Sequence, residues 1–185
     1  MQHHTAFLSG FLFALASVAG GQTTHTVGQG GGYDFPAIQQ AINAATTGDT
    51  ILVHPGTYNE NIFFGGKDIV VRSLDATDTA TVAATIISGE MATPVVQFAG
   101  TESDRCELSG FTLRGERFLV AGRVASLLEG TRASITHNIL DGQNASGITS
   151  SNGAIRHNTI RHLSGSGLYY CNGTIEHNEI SRLGE

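Results

Sequence analysis

Asp141, Arg161 and His162 are the residues whose types and spacing best support acid–base chemistry. Asp141 and Arg161 stand 20 residues apart, the interval at which other residue types in this half of the chain also recur. Position-matched in successive turns of a repeat, with His162 alongside, they set a carboxylate, a guanidinium and an imidazole within a few ångströms on an outer edge. Such a group can bind a sugar acid and hold a base tuned for proton transfer. The plainer reading of the same residues is a surface ion pair. His137, His157 and His177 recur at the same interval. A transition metal shared among them is the chemical alternative, but tetrahedral sites draw ligands from several directions and a straight column does not converge that way. Stacking and corner hydrogen bonds account for the row. Asn138, Asn158 and Asn178 follow the three histidines directly and are expected to pass amide hydrogen bonds from turn to turn as a structural ladder.

These side chains need a frame that repeats. Ser134-Ile135-Thr136-His137-Asn138, Ala154-Ile155-Arg156-His157-Asn158 and Thr174-Ile175-Glu176-His177-Asn178 fall into step, and Leu140/Ile160/Ile180, Gly147/Gly167, Ile148/Leu168, Asn152/Asn172 and Gly153/Gly173 keep the same offset. A unit this short cannot bury its own apolar residues, so successive units must stack as a solenoid. Ile155 and Ile160 are both apolar at an odd separation. A straight strand alternates with a period of two, so a corner must lie between them, at His157-Asn158. Arg156 and Glu176 then face outward in neighbouring coils and pair weakly.

Ahead of the regular coils the pattern changes. Between Asp34 and Ala45, Phe35, Ile38, Ile42 and Ala45 line one helical face, with Asp34 as cap, Pro36 in the first turn and Gly48 as terminator. A single short helix over residues 34–46, ahead of many strands, reads as a lid on the open first coil. Strand-like pieces follow at Thr50–Val53, Pro55–Tyr58, Asn61–Phe64, Ile69–Arg72, Thr85–Ile87, Val95–Phe98, Leu108–Leu113 and Val124–Leu128. Leu108 to Ile135 spans 27 residues, one coil plus an insertion of about seven, expected near Gly115–Gly122.

The chain has 185 residues, 40% hydrophobic and 14% charged, enough for one packed domain. Its 24 glycines and lack of tryptophan suit short strands joined by tight corners. A formal charge of −6 without a basic cluster gives a nucleic-acid backbone nothing to hold. Residues 6–19 form an apolar run too short to span a bilayer, and Ser17-Val18-Ala19 offers small residues for cleavage. They read as a signal peptide over residues 1–19, implying a secreted, extracellular or periplasmic product with no membrane anchor after cleavage. The domain then occupies 20–185, with the regular coils over 134–185. Cys106 and Cys171 fall in different columns several turns apart and are expected as free thiols. Asn144-Ala145-Ser146 and Asn172-Gly173-Thr174 match a glycosylation pattern and are equally ordinary turn chemistry.

The opening GGGYDFPAIQQAINAATTGDTILVHPGTYNENIFF and the repeated Ile-x-His-Asn-x-Ile resemble the right-handed parallel β-helix superfamily that includes pectate lyases and other polysaccharide lyases. The resemblance implies an all-β, right-handed parallel β-helix solenoid with an N-terminal capping helix. It implies a polysaccharide partner contacted by the outer strand faces, with a uronate-containing glycan as one candidate and Ca²⁺ as a possible cofactor. Uronate cleavage in the superfamily uses acidic clusters for Ca²⁺ together with an Arg, Lys or His base, and acidic residues here are scattered. A non-catalytic structural or adhesive surface solenoid is the alternative. The sequence reaches Glu185 ten residues after Ile175, midway through a coil. That reads as a solenoid truncated at its C-terminus, whose open final coil favours self-association.

Overall fold

A computed structural model of the chain describes residues 21–90, 93–115, 118–122, 130–142 and 145–181. The expected signal segment and the Val124–Leu128 strand lie outside these residues. Among them the strands form three wholly parallel sheets. The first sheet stacks β1 (Thr24–Val27), β2 (Thr50–Val53), β5 (Val70–Ser73), β8 (Glu107–Ser109), β11 (Ser134–Thr136), β14 (Ile155–Arg156) and β17 (Ile175–Glu176). The second stacks β3 (Gly56–Tyr58), β6 (Thr85–Ser88), β9 (Thr112–Arg114), β12 (Ile139–Asp141), β15 (Thr159–Arg161) and β18 (Glu179–Ile180). The third stacks β4 (Ile62–Phe63), β7 (Val96–Gln97), β10 (Phe118–Ala121), β13 (Ser146–Thr149) and β16 (Leu168–Tyr169). The chain visits the sheets in rotation, and the fold is a parallel β-helix.

Register carries like residues onto like. Val71, Leu108, Ile135, Ile155 and Ile175 are successive Cα partners in the first sheet. Ile87, Leu113, Leu140, Ile160 and Ile180 do the same in the second, and Ile62, Val96, Val120, Ile148 and Leu168 in the third. These columns point inward and most of their members are fully buried in one continuous core. Ile175 and Ile180, on the last described coil, are 43% and 52% exposed because no further coil covers them among the described residues.

The corner between the first and second sheets lies where parity demands it. His137, His157 and His177 have φ of 55°, 55° and 54°, a left-handed turn that lets the chain change sheet between two inward residues. Gly110, with φ of 80°, occupies that corner one coil earlier and divides the expected Leu108–Leu113 strand into β8 and β9. A Cβ there would collide with Ser73 Oγ and Ala76, so no side chain fits. The expected loop at Gly115–Gly122 is also corrected. Phe118–Ala121 is strand β10, paired with β7 and β13, and the additional residues lie after it. Thr131 N donates to Gly122 O at 2.7 Å. Strand β1 and a second helix, α2 (Thr79–Ala84), capped by the Asp78 carboxylate, had no clear signal in the sequence.

Helix α1 (Ile38–Ala44) buries Ile38, Ala41 and Ile42 against the first coil, as a lid should. Its caps differ from expectation. Asp34 does not cap it; its carboxylate accepts from Thr26 N and Oγ1, both at 2.8 Å. The Glu60 carboxylate instead accepts from Ile38 N and Gln39 N at 2.8 and 2.9 Å, and Lys67 Nζ donates to the carbonyls of Ile42, Asn43 and Ala45. A helix of 7 residues without its own capping side chain is thus held by opposite charges from the adjoining coil, each suited to the dipole end it meets. Gln39 also exchanges two hydrogen bonds with the Phe63 backbone, and Gln29 Nε2 donates to Thr57 O, so glutamine amides cover the outer edges of β4 and β3.

Two outcomes follow. Lys67→Met leaves three helix carbonyls without their donor and should lower stability by about 1–3 kcal/mol, read from a urea unfolding midpoint. Hydrogen bonds from the Thr46 and Thr23 amides outweigh burial and hold Asp49 at about 2. A carboxylate depressed on folding contributes fully above its unfolded value of about 3.9 and loses that contribution as pH falls toward the folded value. Asp49→Asn should therefore unfold more easily at neutral pH and show a smaller stability loss between about pH 4 and pH 2 than the parent.

Candidate functional site

At the ends of β6, β9, β12 and β15 one outward position forms a column of polar residues. Ser88 pairs with Arg114, the next strand places Asp141 one residue past the Leu113–Leu140 pair, and Asp141 pairs with Arg161. Each strand alternates, so the apolar neighbours Leu113, Leu140 and Ile160 point inward while this column faces out.

The sequence-derived trio comes together here. Arg161 Nη2 lies 3.2 Å from Asp141 Oδ2, and His162 Nδ1 lies 2.7 Å from Asp141 Oδ1. The Asp141 side chain is 20% exposed, His162 37% and Arg161 39%, so the group is a half-sheltered surface cluster. Burial, the largest single influence on Asp141, pushes its carboxyl upward. The His162 hydrogen bond and the Arg161 charge together outweigh it and leave the group below the usual carboxylate range. An ionised carboxylate only accepts, so Nδ1 of His162 carries a proton toward Asp141, and when the ring is neutral Nε2 presents a lone pair. His162 has a φ of 55° and sits at the corner leaving the second sheet, where its backbone lets the ring reach back one coil to Asp141. An imidazole oriented by a carboxylate through Nδ1 is equipped to move a proton at Nε2.

The asparagine ladder is a frame rather than a reactive site. Asn138 Nδ2 donates to Leu108 O and Asn158 Oδ1; Asn158 Nδ2 donates to Ile135 O and Asn178 Oδ1; Asn178 Nδ2 donates to Ile155 O. Each Oδ1 also accepts a backbone N–H, from Phe111, Asn138 and Asn158 in turn. Asn138 and Asn158 are buried with both amide atoms satisfied. The histidine rings stack beside them with centroids 4.9 and 5.0 Å apart and interplanar angles of 16° and 6°. Near-parallel rings in a column do not converge on a common point. Arg156 Nε lies 3.4 Å from Glu176 Oε2 across exposed side chains, as the register requires.

Among the described residues no three His, Cys, Asp or Glu side chains gather as a metal-holding group. Calcium takes six or more oxygens, and a lone Asp141 already engaged by the Arg161 guanidinium and the His162 ring does not supply them. Cys106 is a buried free thiol, pushed far above the ordinary thiol range by desolvation, and Cys171 is also free. Asn144 lies outside the described residues, while Asn172 is exposed on the turn before β17. Two features had been missed. Arg114 belongs to the Asp141 column, a register visible only once the 27-residue coil is aligned on Gly110. Tyr169 and Tyr170 are 52% and 66% exposed, with ring centroids 4.3 Å apart.

The ladder and the ring stack separate in mutagenesis. Asn158→Ala strands buried groups on both neighbouring coils and should cost about 3 kcal/mol or more in unfolding free energy. His157→Ala keeps the left-handed backbone but loses two ring contacts, costing about 1–2 kcal/mol; His157→Gly also removes the backbone penalty and should be nearly neutral. Equal losses from alanine and glycine in chemical denaturation would contradict this division.

No protein-family model, curated protein or solved structure matches the chain. Its parallel β-helix and the cluster at Asp141 therefore rest on its own residues.

Proposed function

We propose that this chain is a secreted, polysaccharide-lyase-like β-helix protein that binds an extended glycan along its outer surface and acts on it at the second-sheet edge. The observation that carries the reading is the 2.7 Å contact between His162 Nδ1 and Asp141 Oδ1, with Arg161 on the other carboxylate oxygen. The interior supports an exterior site as well, since side chains fill it in one continuous core.

On a uronate-containing glycan the reaction this arrangement serves is elimination. His162 Nε2 takes the proton from the carbon next to the sugar carboxylate. The electron pair left behind forms a carbon–carbon double bond as the glycosidic oxygen departs, and that oxygen takes a proton from His162 or water. The glycan is cut with no net gain or loss of electrons, giving one unsaturated end and one hydroxyl end. Asp141 fixes the tautomer and balances the imidazolium that forms, and Arg161 keeps Asp141 ionised.

A second reading, a non-catalytic adhesive solenoid, draws on Tyr169 and Tyr170. Two exposed rings set edge to face on the last described coil can contact a sugar without chemistry. Incubating the whole chain with polygalacturonate and with alginate, each with and without Ca²⁺, and following the ultraviolet absorbance of the unsaturated product separates the two. The catalytic reading expects product formation reduced about 100-fold or more by His162→Gln and strongly by Asp141→Asn, with binding retained. Binding without any product would leave the adhesive reading standing, and product undiminished in His162→Gln would overturn the role given to His162.

A further inference from the structure

Gly153 and Gly173 occupy the corner between the third and first sheets in successive coils. A Cβ on Gly173 would collide with the Gly153 carbonyl oxygen, and one on Gly153 with that of Ala133, so stacking admits no side chain at either position. Each glycine follows an asparagine, Asn152 and Asn172. Among the described residues these two side-chain amides make no hydrogen bond, and the N–H groups of Gly153 and Gly173 make none either. Asn138, Asn158 and Asn178 differ on both counts. Their amides are committed to the ladder, and Ile139, Thr159 and Glu179 follow them.

We propose that Asn172 is a self-modification site, at which the chain converts an asparagine on its outer corner to isoaspartate and aspartate without an enzyme. The Gly173 nitrogen, on losing its proton to solvent, attacks Cγ of Asn172. A carbon–nitrogen bond closes a cyclic imide, the Cγ–Nδ2 bond breaks, and Nδ2 leaves as ammonia with a proton from water. Water then opens the imide at either carbonyl. Opening at Cγ gives an ordinary aspartate; opening at the backbone carbonyl leaves the main chain running through Cγ as isoaspartate. No electrons are gained or lost, and water is the sole co-reactant.

The corner favours this step at Asn172 over the other asparagines. With no Cβ on the following residue, the nitrogen is unshielded and the backbone can turn toward the side chain. The free N–H gives up no hydrogen bond when it loses its proton. Water reaches the site, since Asn172 and Thr174 are exposed, whereas Asn152 is half-buried and Gly153 buried. The Asn152 turn is clamped from both sides: Asn152 N donates to Thr131 O at 2.7 Å, and Ser151 O accepts from Asn172 N at 3.0 Å. Among the described residues the Asn172 turn is held only from the coil beneath it. Asp141 also precedes a glycine, Gly142, but its carboxylate is engaged by Arg161 and His162, and an ionised carboxylate resists attack by nitrogen. Isoaspartate lengthens the main chain just before β17, and either product adds a carboxylate to a chain of formal charge −6. Thr174 O accepts from Ile155 N at 2.8 Å, so the change reaches the pairing of β14 with β17. The last described coil thus loosens as the molecule ages, and the step needs no glycan.

The test ages the whole chain in buffer at neutral and at mildly alkaline pH, and unfolded in guanidinium chloride. Every asparagine is then mapped by peptide mass spectrometry, with fragmentation that tells isoaspartate from aspartate. Asn172→Gln is the control, because glutamine keeps the amide and closes the corresponding ring far more slowly. The proposal expects both products at Asn172 in the folded chain, faster at the higher pH, with Asn152 converting about tenfold or more slowly and the ladder asparagines unchanged. In guanidinium chloride Asn152 should rise to the rate of Asn172. Amide-proton exchange at Ile155 should quicken about tenfold or more in the aged parent and stay constant in aged Asn172→Gln. An intact Asn172 in the folded chain, over a period that converts it in the unfolded one, overturns the proposal, as do equal rates at Asn152 and Asn172 before unfolding. Aspartate without isoaspartate overturns the imide route, and unchanged Ile155 exchange overturns the loosening of the coil.

Discussion

Every feature of this molecule depends on one constraint: a coil of about 20 residues has no inside of its own until another coil lies against it. Its three inward side chains are buried only by the same three positions above and below. Similar residues therefore stack in columns, and the hydrogen bonds between strands all run along the axis. A residue that departs from this rule affects both neighbours, which is why the interior positions are so uniform and the outward ones so free to vary.

The corners are where that uniformity becomes chemistry. Among the described residues six non-glycine residues have positive φ, and all lie at or beside sheet boundaries: His137, His157 and His177 between the first and second sheets, His162 after the second, Ser150 and Tyr170 after the third. In earlier coils glycine fills the same kind of position, as Gly110 does. Placing a histidine or tyrosine there costs backbone energy that glycine would avoid. At His137, His157 and His177 the return is a ring stack beside the asparagine ladder. At His162 the return is a ring aimed at Asp141, and this corner is the one where backbone geometry, a carboxylate partner and partial exposure coincide.

The solenoid was legible because its signal is redundant. Ile135, Ile155 and Ile175, followed each time by His-Asn, give the period, the corner and the ladder from spacing alone, and the trio at Asp141 follows from the same register. Where the period broke, the reading failed for physical reasons. The longer coil between Leu108 and Ile135 offered no marker of where its extra residues lay, so β10 was taken for loop and Arg114 stayed outside its column. The true marker, Gly110 standing where later coils carry histidine, has meaning only once the left-handed corner is known. The helix caps were missed because Glu60 and Lys67 lie more than 20 residues from the ends they satisfy. Asp34, the local candidate, is committed to Thr26 instead. Local signals fix the elements of a coil, whereas the contacts that seal its ends come from the next one.

The central claim is that neighbouring coils pass hydrogen bonds through buried asparagine amides, and the side chain of Asn158 reports on it directly. Its exchange with solvent deuterium can be followed by nuclear magnetic resonance in the intact chain. Slow exchange of the Asn158 Nδ2 protons, with cross-relaxation to residues 135 and 178, is the predicted result. Rapid exchange, or contacts confined to sequence neighbours, would contradict the stacked architecture.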